Sequence, residues 1–311
     1  MRWPNGKRLL LSLALSAGSI AFGQVAQDFP ELCGRPGASI PVPPGVTIAS
    51  DPSNSRSELR IRILDKAIVF PAVMETVQQA CPIAGHELVV FGLATPALYN
   101  IEIVRLTDGS LRDSFYGFSP IIAPNQRWLV RRKFYPAQAV TSEEYVIYDL
   151  AQDWAHNREP GIARSDMDLV GKLIYPVVAG NWPFYSDHPP PSETHSFRSD
   201  SFYWAPDSGA VLFADSVEEH LSLVLVSLEN DNFRAYLYRL TDSEACPGSA
   251  VTWPPTLSSA EVSLPINGRR GVHAAFRVGN SPCRETLTLQ SDDFKAATPE
   301  VHVMPSTPIG R

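Results

Sequence analysis

The chain has 311 residues, with 26 Lys and Arg against 33 Asp and Glu, and a formal net charge of −7. An acidic surface repels phosphate backbones, so binding to nucleic acid or to an anionic membrane through a broad basic patch is disfavoured. Beyond residues 1–23, no stretch approaches the roughly 18 uninterrupted apolar residues of a membrane-spanning helix, and we expect no transmembrane segment there.

Residues 1–23 have the order of a secretory signal peptide. Three basic residues precede an apolar run that starts at Leu9, and Ala21 and Gly23 occupy the third and last positions before Gln24. We expect cleavage near Gly23 and a secreted or periplasmic protein. The alternative is an uncleaved membrane anchor, which the shortness of the apolar run disfavours.

The four cysteines predict two disulfides, because an exported chain reaches an oxidising compartment. Of the three possible pairings we favour Cys33–Cys81 and Cys246–Cys283, since one pair precedes the repeat region described below and the other follows it. Each bond would close a loop of about 40–50 residues and contribute a few kcal/mol. A zinc site is the alternative, but no Cys-x-x-Cys spacing supports it, and we assign no metal to these thiols.

The chain beyond the leader divides into an extended lead-in and one larger domain. Residues 24–57 are rich in Pro, Gly and Ser, which favours extended structure and turns, and residues 58–311 are taken as a single domain. One short helix is predicted at Ala72–Ala80, between two prolines. Alternating apolar and polar residues predict strands at Leu59–Ile63, His86–Gly92 and Tyr99–Leu106.

Two later stretches, starting at Phe118 and Trp204, share one pattern: an aromatic residue, x-Pro, a tight turn and an apolar strand. Their starts lie 86 residues apart, twice a period of about 43, and about 40–45 residues make one four-stranded propeller blade. The second stretch predicts four strands, at Ser201–Trp204, Ala210–Ala214, Leu221–Leu228 and Phe233–Leu240. The first predicts strands at Tyr116–Pro120, Gln126–Phe134, Tyr145–Leu150 and Lys172–Val178.

The segments Trp204–Gly209 and Tyr145–Leu150 resemble the blades of TolB-like and prolyl-oligopeptidase-like propellers. In those blades an aromatic-x-Pro-Asp-Gly turn, an apolar strand and a Tyr-x-x-Asp-Leu strand recur as a four-stranded, WD40-like repeat. The resemblance covers residues 86–241 and departs from the pattern at Ile121–Asn125. It implies an all-β, β-propeller-like fold with four-stranded blades, and a two-sheet β-sandwich is the alternative.

One irregular segment, Asn181–Arg198, stands out between the two repeats. A long loop on a β scaffold is a common place for binding residues, and His, Asp and Glu are also usual metal ligands. The spacing matches no recognised metal motif, so we assign no metal and no cofactor. The candidate ligand-binding residues of the segment are Trp182, Tyr185, Asp187, His188, Glu193, His195 and Arg198.

Motifs for nucleophilic catalysis are absent from the sequence: there is no Gly-x-Ser-x-Gly elbow and no His-Glu-x-x-His helix. We therefore favour a binding or interaction protein acting on a small polar ligand or a protein partner. A hydrolase or lyase using Asp187, His188, Glu193 and His195 is the alternative, and an envelope-associated scaffold is a third hypothesis. The turn Gly268–Gly271 carries two arginines that could hold an anion, although a basic exposed turn is the commoner case.

Overall fold

The computed structural model describes residues 32–34, 46–51, 56–63, 66–70, 76–95, 98–135, 140–158, 170–177, 195–217, 220–229, 231–247 and 253–298. These residues form four antiparallel sheets and two one-turn helices, α1 (Trp154–Asn157) and α2 (Asp242–Ala245). The predicted all-β class is confirmed. Within the described ranges, no helix has the length and apolar character needed to cross a membrane. Residues 1–23 lie outside them, so the signal peptide stays a prediction.

The first two sheets follow the order of the chain. The first contains β1 (Val46–Asp51), β2 (Arg56–Ile63) and β3 (Lys66–Phe70). The second has seven strands, β4 (Thr76–Ile83), β5 (Glu87–Leu93), β6 (Leu98–Arg105), β7 (Leu111–Ile122), β8 (Trp128–Tyr135), β9 (Val140–Asp149) and β10 (Lys172–Tyr175). Its long strand β7 changes partner at Phe118, which lies opposite Leu98 on one side and Arg132 on the other.

The last two sheets contain the remaining strands. The third consists of β11 (His195–Phe197), β12 (Tyr203–Trp204), β13 (Ala210–Val217), β14 (His220–Glu229), β15 (Asn232–Leu240) and β19 (Lys295–Ala296). Both β11 and β12 pair with the same strand, β13. The fourth sheet consists of β16 (Thr256–Val262), β17 (Gly271–Val278) and β18 (Ser281–Gln290).

The strands predicted in both repeats are confirmed, but the helix at Ala72–Ala80 is wrong. From Thr76 onward the chain forms β4, which pairs antiparallel with β5, and residues 71–75 lie outside the described ranges. The apolar residues of this stretch have a spacing that also fits a helix. Pairing with the buried strand β5 overrides that local preference, as tertiary context commonly does for short segments.

The turns of the two repeats are equivalent at an offset of 82 residues, so aligning the repeats at an offset of 86 is wrong. Gln126 and Ser208 both have a φ of 60°. The backbone N–H groups of Gln126 and Ser208 donate to Ala123 and Ala205 respectively, at 2.8 Å in each turn. The turn of the first repeat is therefore Ala-Pro-Asn-Gln at residues 123–126, and its first three residues belong to the stretch that looked like a departure from the pattern.

The side chains of the two turns make the same bonds and also meet each other. Asn125 Oδ1 accepts from the N–H of Arg127 and Asp207 Oδ1 from the N–H of Gly209, at 3.0 Å in both cases. The N–H of Asn125 donates to the Ser208 hydroxyl at 2.9 Å. Fewer than 20 residues separate β10 from β11, too few for another unit of about 40–45 residues. The repeats are therefore consecutive, not two periods apart.

Apolar cores lie between the second and third sheets and between the third and fourth sheets. Along β13, Val211 and Phe213 face the second sheet, while Leu212 and Ala214 face the fourth, as the period of two in a strand requires. The core on the other face of the second sheet includes Leu32, and the N–H of Ile122 donates to its carbonyl at 2.8 Å. Part of the predicted lead-in therefore packs onto the seven-stranded sheet.

Both predicted disulfides are confirmed. Cys33 is joined to Cys81 across 48 residues of sequence, and Cys246 is joined to Cys283 across 37 residues. The first bond ties residues 32–34 to β4, and the second ties the end of α2 to β18. Each bond thus connects a segment outside the repeats to a sheet, which is the arrangement expected from chain order.

The two arginines of the turn at 268–271 pair with carboxylates, which argues against an anion site there. Arg269 Nε lies 2.7 Å from Asp292, and Arg270 Nη2 lies 2.7 Å from Asp207. The second pair joins the β16–β17 hairpin to the turn before β13. It therefore braces the fourth sheet against the third.

Replacing Arg270 with alanine is expected to raise the pKa of Asp207. Burial alone would raise this pKa, but the hydrogen bonds from Arg270 and from the N–H of Gly209 outweigh it and hold the pKa below its ordinary value. An NMR pH titration of the Asp207 carboxyl carbon measures the change. Arg277→Ala is the matched control, because Arg277 pairs with Asp200 and should leave Asp207 unaffected. An unchanged Asp207 pKa in Arg270→Ala would contradict the assignment.

Candidate functional site

Two of the predicted site residues are described by the structure. His195 opens β11 and Arg198 follows it directly. The other five, Trp182, Tyr185, Asp187, His188 and Glu193, lie outside the described residues, and their role in binding stays a prediction. The segment that contains them enters the described structure at His195, so the surroundings of His195 fix where that segment is attached.

His195 is buried and bound to a carboxylate that the sequence analysis did not single out. Its Nδ1 lies 2.5 Å from Asp215 Oδ2, and the side chains of His195 and Asp215 are 3% and 0% exposed. The two residues lie on the paired strands β11 and β13, where Asp215 is opposite Phe197. The third sheet therefore sets the position of both groups.

A tyrosine from the second sheet completes this cluster. The Tyr145 hydroxyl on β9 donates to Asp215 Oδ1 at 2.6 Å, so a hydrogen bond links the two sheets through their shared core. The Tyr145 ring stacks on Phe213, with centroids 4.5 Å apart. The Tyr175 ring meets the His195 ring edge to face at 5.4 Å. We call Tyr145, Tyr175, His195 and Asp215 the inter-sheet cluster.

Burial dominates the electrostatics of the cluster. It raises the pKa of Asp215, and the hydrogen bonds from His195 and Tyr145 offset that rise only in part. The pKa of Tyr145 lies well above its ordinary value, first because of burial and then because the Asp215 carboxylate disfavours a second negative charge. The phenol therefore stays protonated and keeps its role as a hydrogen-bond donor.

Arg132 on β8 lies beside the inter-sheet cluster. Its guanidinium carbon is 5.1 Å from the ring centre of Phe118 and 4.6 Å from that of Phe197. Burial lowers the pKa of Arg132, while the neighbouring Tyr145 and Asp215 raise it. Its Nε is buried without a hydrogen-bond partner, and no described carboxylate forms an ion pair with it. A guanidinium whose buried Nε has no acceptor thus lies near the Asp215 carboxylate without forming an ion pair with it.

Arg198 has a structural role at the end of β11. Its Nε donates to the Ser216 hydroxyl at 3.0 Å, and its backbone N–H donates to the Ala214 carbonyl at 2.9 Å. Its own carbonyl accepts from the N–H of Leu257 at 2.7 Å. Arg198 thus holds β11 against β13 and the fourth sheet.

The arrangement suits binding through hydrogen bonds and charge. His195 is oriented by a carboxylate, as in sites where histidine donates or accepts a proton, and Arg132 offers a positive charge between aromatic rings. Among the described residues, no group of three or more His, Cys, Asp or Glu side chains is placed to hold a metal ion.

Asp215 and Arg132 are not among the residues predicted for the site, although the strand pattern contains a signal for both. In β13 the residues at 211, 213 and 215 face one core, so Asp215 is a charged residue at an apolar position. In β8, Arg132 is in phase with Val130, which belongs to the same core. A charged residue in phase with buried neighbours is informative, because burial requires a partner for its charge.

Of the comparisons with known proteins, the one with solved structures is the one that finds similar chains. No family model and no curated protein matches the chain. Oligopeptidase B from Leishmania major is 11% identical with a TM-score of 0.40, over 80% of this chain and 31% of that one. TolB from Acinetobacter baumannii is 13% identical with a TM-score of 0.27, over 82% and 52%. The dihydro-heme d1 dehydrogenase NirN, in complex with DHE, is 11% identical with a TM-score of 0.31, over 79% and 54%.

The chain spans about a third to about half of the length of these proteins. With TM-scores below 0.5 and identities of 11–13%, the three likenesses assign neither a fold family nor an activity to it.

Proposed function

We propose that the chain is a secreted or periplasmic, propeller-like binding protein, with residues 58–311 in one domain onto which β1 and residues 32–34 also pack. The two consecutive repeats, which share one turn, support a fold built from repeated antiparallel units. The two disulfides support an oxidising compartment, as do the features of a leader in residues 1–23.

Its function is the binding of a small polar ligand beside the inter-sheet cluster, where the segment 178–194 joins β11. The observation that carries this proposal is Arg132, whose buried Nε has no hydrogen-bond partner, next to a buried Asp215 bound by His195 and Tyr145. Charged groups at an otherwise apolar core disfavour folding compared with well-packed apolar residues. Their placement beside a segment rich in aromatic and polar residues is what a ligand site requires.

The test is a thermal-shift panel of amino acids, sugars, organic acids and nucleotides on the mature chain, followed by calorimetry on each compound that binds. We expect a panel compound to raise the unfolding midpoint of the wild type. The double variant Trp182→Ala/His188→Ala should bind that compound about tenfold more weakly, since aromatic contacts often dominate binding energy. Trp253→Ala is the matched control, because Trp253 is 69% exposed and lies outside the cluster.

Two results would contradict the proposal: a panel that leaves the midpoint unchanged, and a double variant that binds as tightly as the wild type. His195 is excluded from the variant because it is buried and hydrogen bonded. Replacing it would alter stability as well as binding.

A hydrolase or lyase is the second candidate function, and the contact between His195 Nδ1 and Asp215 favours it. A carboxylate at this nitrogen orients an imidazole for proton transfer. Incubating each bound compound with the protein and analysing it by mass spectrometry separates the two functions. Conversion that is lost in His195→Gln, with the fold retained, would establish an enzyme. Unchanged compounds favour binding.

A further inference from the structure

We propose that Arg132 binds the oxyanion of the ligand, a carboxylate or a phosphate group, at the edge of the inter-sheet cluster. This inference rests on the proposed binding function and adds the chemical group that the site recognises.

The strand geometry places Arg132 at the core between the second and third sheets. Phe118 lies directly opposite it on β7, and Phe197 comes from β11 in the facing sheet. Contacts between a guanidinium and aromatic rings stabilise the cation, and they leave its N–H groups available as donors in the guanidinium plane. Arg132 is therefore held by two rings while its buried Nε still requires an acceptor.

Two other partly buried arginines, on or beside the second sheet, have carboxylate partners. Arg112 Nε lies 2.9 Å from Asp113, which also accepts a hydrogen bond from Tyr148 at 2.8 Å. Arg127 Nη2 lies 2.9 Å from Asp149. The group of Asp113, Tyr148 and Arg112 thus resembles that of Asp215, Tyr145 and Arg132, except that its arginine is paired with its aspartate.

Asp215 does not fill this role for Arg132. One of its oxygens accepts from Tyr145 and the other contacts His195, and no ion pair to Arg132 forms. The unpartnered Nε of Arg132 shows that the donors of this guanidinium are not all satisfied by the described residues. An oxyanion from a ligand supplies the missing acceptors, and its geometry matches the donor fork of a guanidinium.

The experiment compares benzoate, phenyl phosphate and benzamide by thermal shift and calorimetry on the mature chain, with sodium chloride at matched ionic strength. The three compounds share a phenyl ring, so they differ in charge and in the type of oxyanion. We expect benzoate or phenyl phosphate to raise the unfolding midpoint and benzamide and chloride to leave it unchanged. The anion that binds more tightly shows whether the site prefers a carboxylate or a phosphate.

Arg132→Gln should weaken binding of that anion by about ten- to a hundredfold, the usual effect of losing a hydrogen bond to a charged group. Arg132→Lys keeps the charge without the fork and should bind with intermediate affinity. Arg239→Gln is the matched control, since Arg239 is an exposed arginine on β15. If Arg132→Gln fails to fold, the affinity of Arg132→Lys for the anion tests the inference by itself.

The inference is overturned if benzamide binds as well as benzoate, if neither anion binds, or if the Arg132 variants bind the anion like the wild type. A neutral panel compound whose binding depends on Trp182 and His188 would then leave the proposed function standing. If no compound binds at all, both proposals fail.

Discussion

Replacing Asp215 with alanine is expected to lower the free energy of unfolding by about 3 kcal/mol, a typical value for breaking a buried charged hydrogen-bond network. Asp215 is fully buried and accepts bonds from Tyr145 and His195 on two different strands. Without it, a hydroxyl and an imidazole remain in the core and lose their acceptor. Chemical denaturation monitored by tryptophan fluorescence measures the change.

Asp200→Ala is the control for this prediction, because Asp200 pairs with Arg277 at a site where the two side chains are 32% and 41% exposed. Such a pair typically contributes about 0–1 kcal/mol. Tyr145→Phe should lie between the two variants, since it removes one of the two bonds to Asp215. Equal stability of the Asp215 and Asp200 variants would mean that the inter-sheet cluster does not stabilise the fold.

Replacing Cys33 and Cys81 together with alanine is expected to lower the free energy of unfolding by about 4 kcal/mol. Loop-closure entropy for a segment of 48 residues gives a value of this size. Both cysteines are buried, at 2% and 1% exposure, and pack in the core of the seven-stranded sheet. Denaturation without reductant measures the difference between the wild type and the variant.

The variant in which Cys246 and Cys283 are both replaced with alanine is compared with the Cys33/Cys81 variant. Its loop of 37 residues gives nearly the same entropic contribution, about 4 kcal/mol. Cys283 is less buried than the other three cysteines, so less core packing is lost there. We expect the Cys33/Cys81 variant to be the less stable of the two. The opposite order would show that packing around Cys33 contributes little.

Local patterns in the sequence predicted the strands of both repeats. The turn at Pro206 needs one residue that fixes φ and one whose side chain bonds the nearby backbone. Pro206 and Asp207 supply these properties at adjacent positions. The strands after the turn alternate between apolar faces over eight or more residues, which is enough to identify them. The four strands of each repeat could therefore be predicted.

The offset of the repeats could not be predicted from the aromatic-x-Pro pattern. Phe118-Ser-Pro and Trp204-Ala-Pro look alike, yet the structure matches Pro206 with Pro124 and not with Pro120. The reason is that the equivalence depends on the backbone bonds that close each turn. Those bonds follow from strand pairing, which the sequence of one tripeptide does not determine.

The sequence by itself determined the all-β class and the strands of the repeats, because these depend on alternation and on turn chemistry. It favoured the disulfide pairing that forms, but the order of four cysteines allows three pairings, and the structure decided among them. Tertiary structure decided that Ala72–Ala80 does not form the predicted helix and that Tyr145, His195 and Asp215 meet. The partners of Asp215 lie 20 and 70 residues away. Their contact depends on how two sheets pack, and no local pattern encodes that packing.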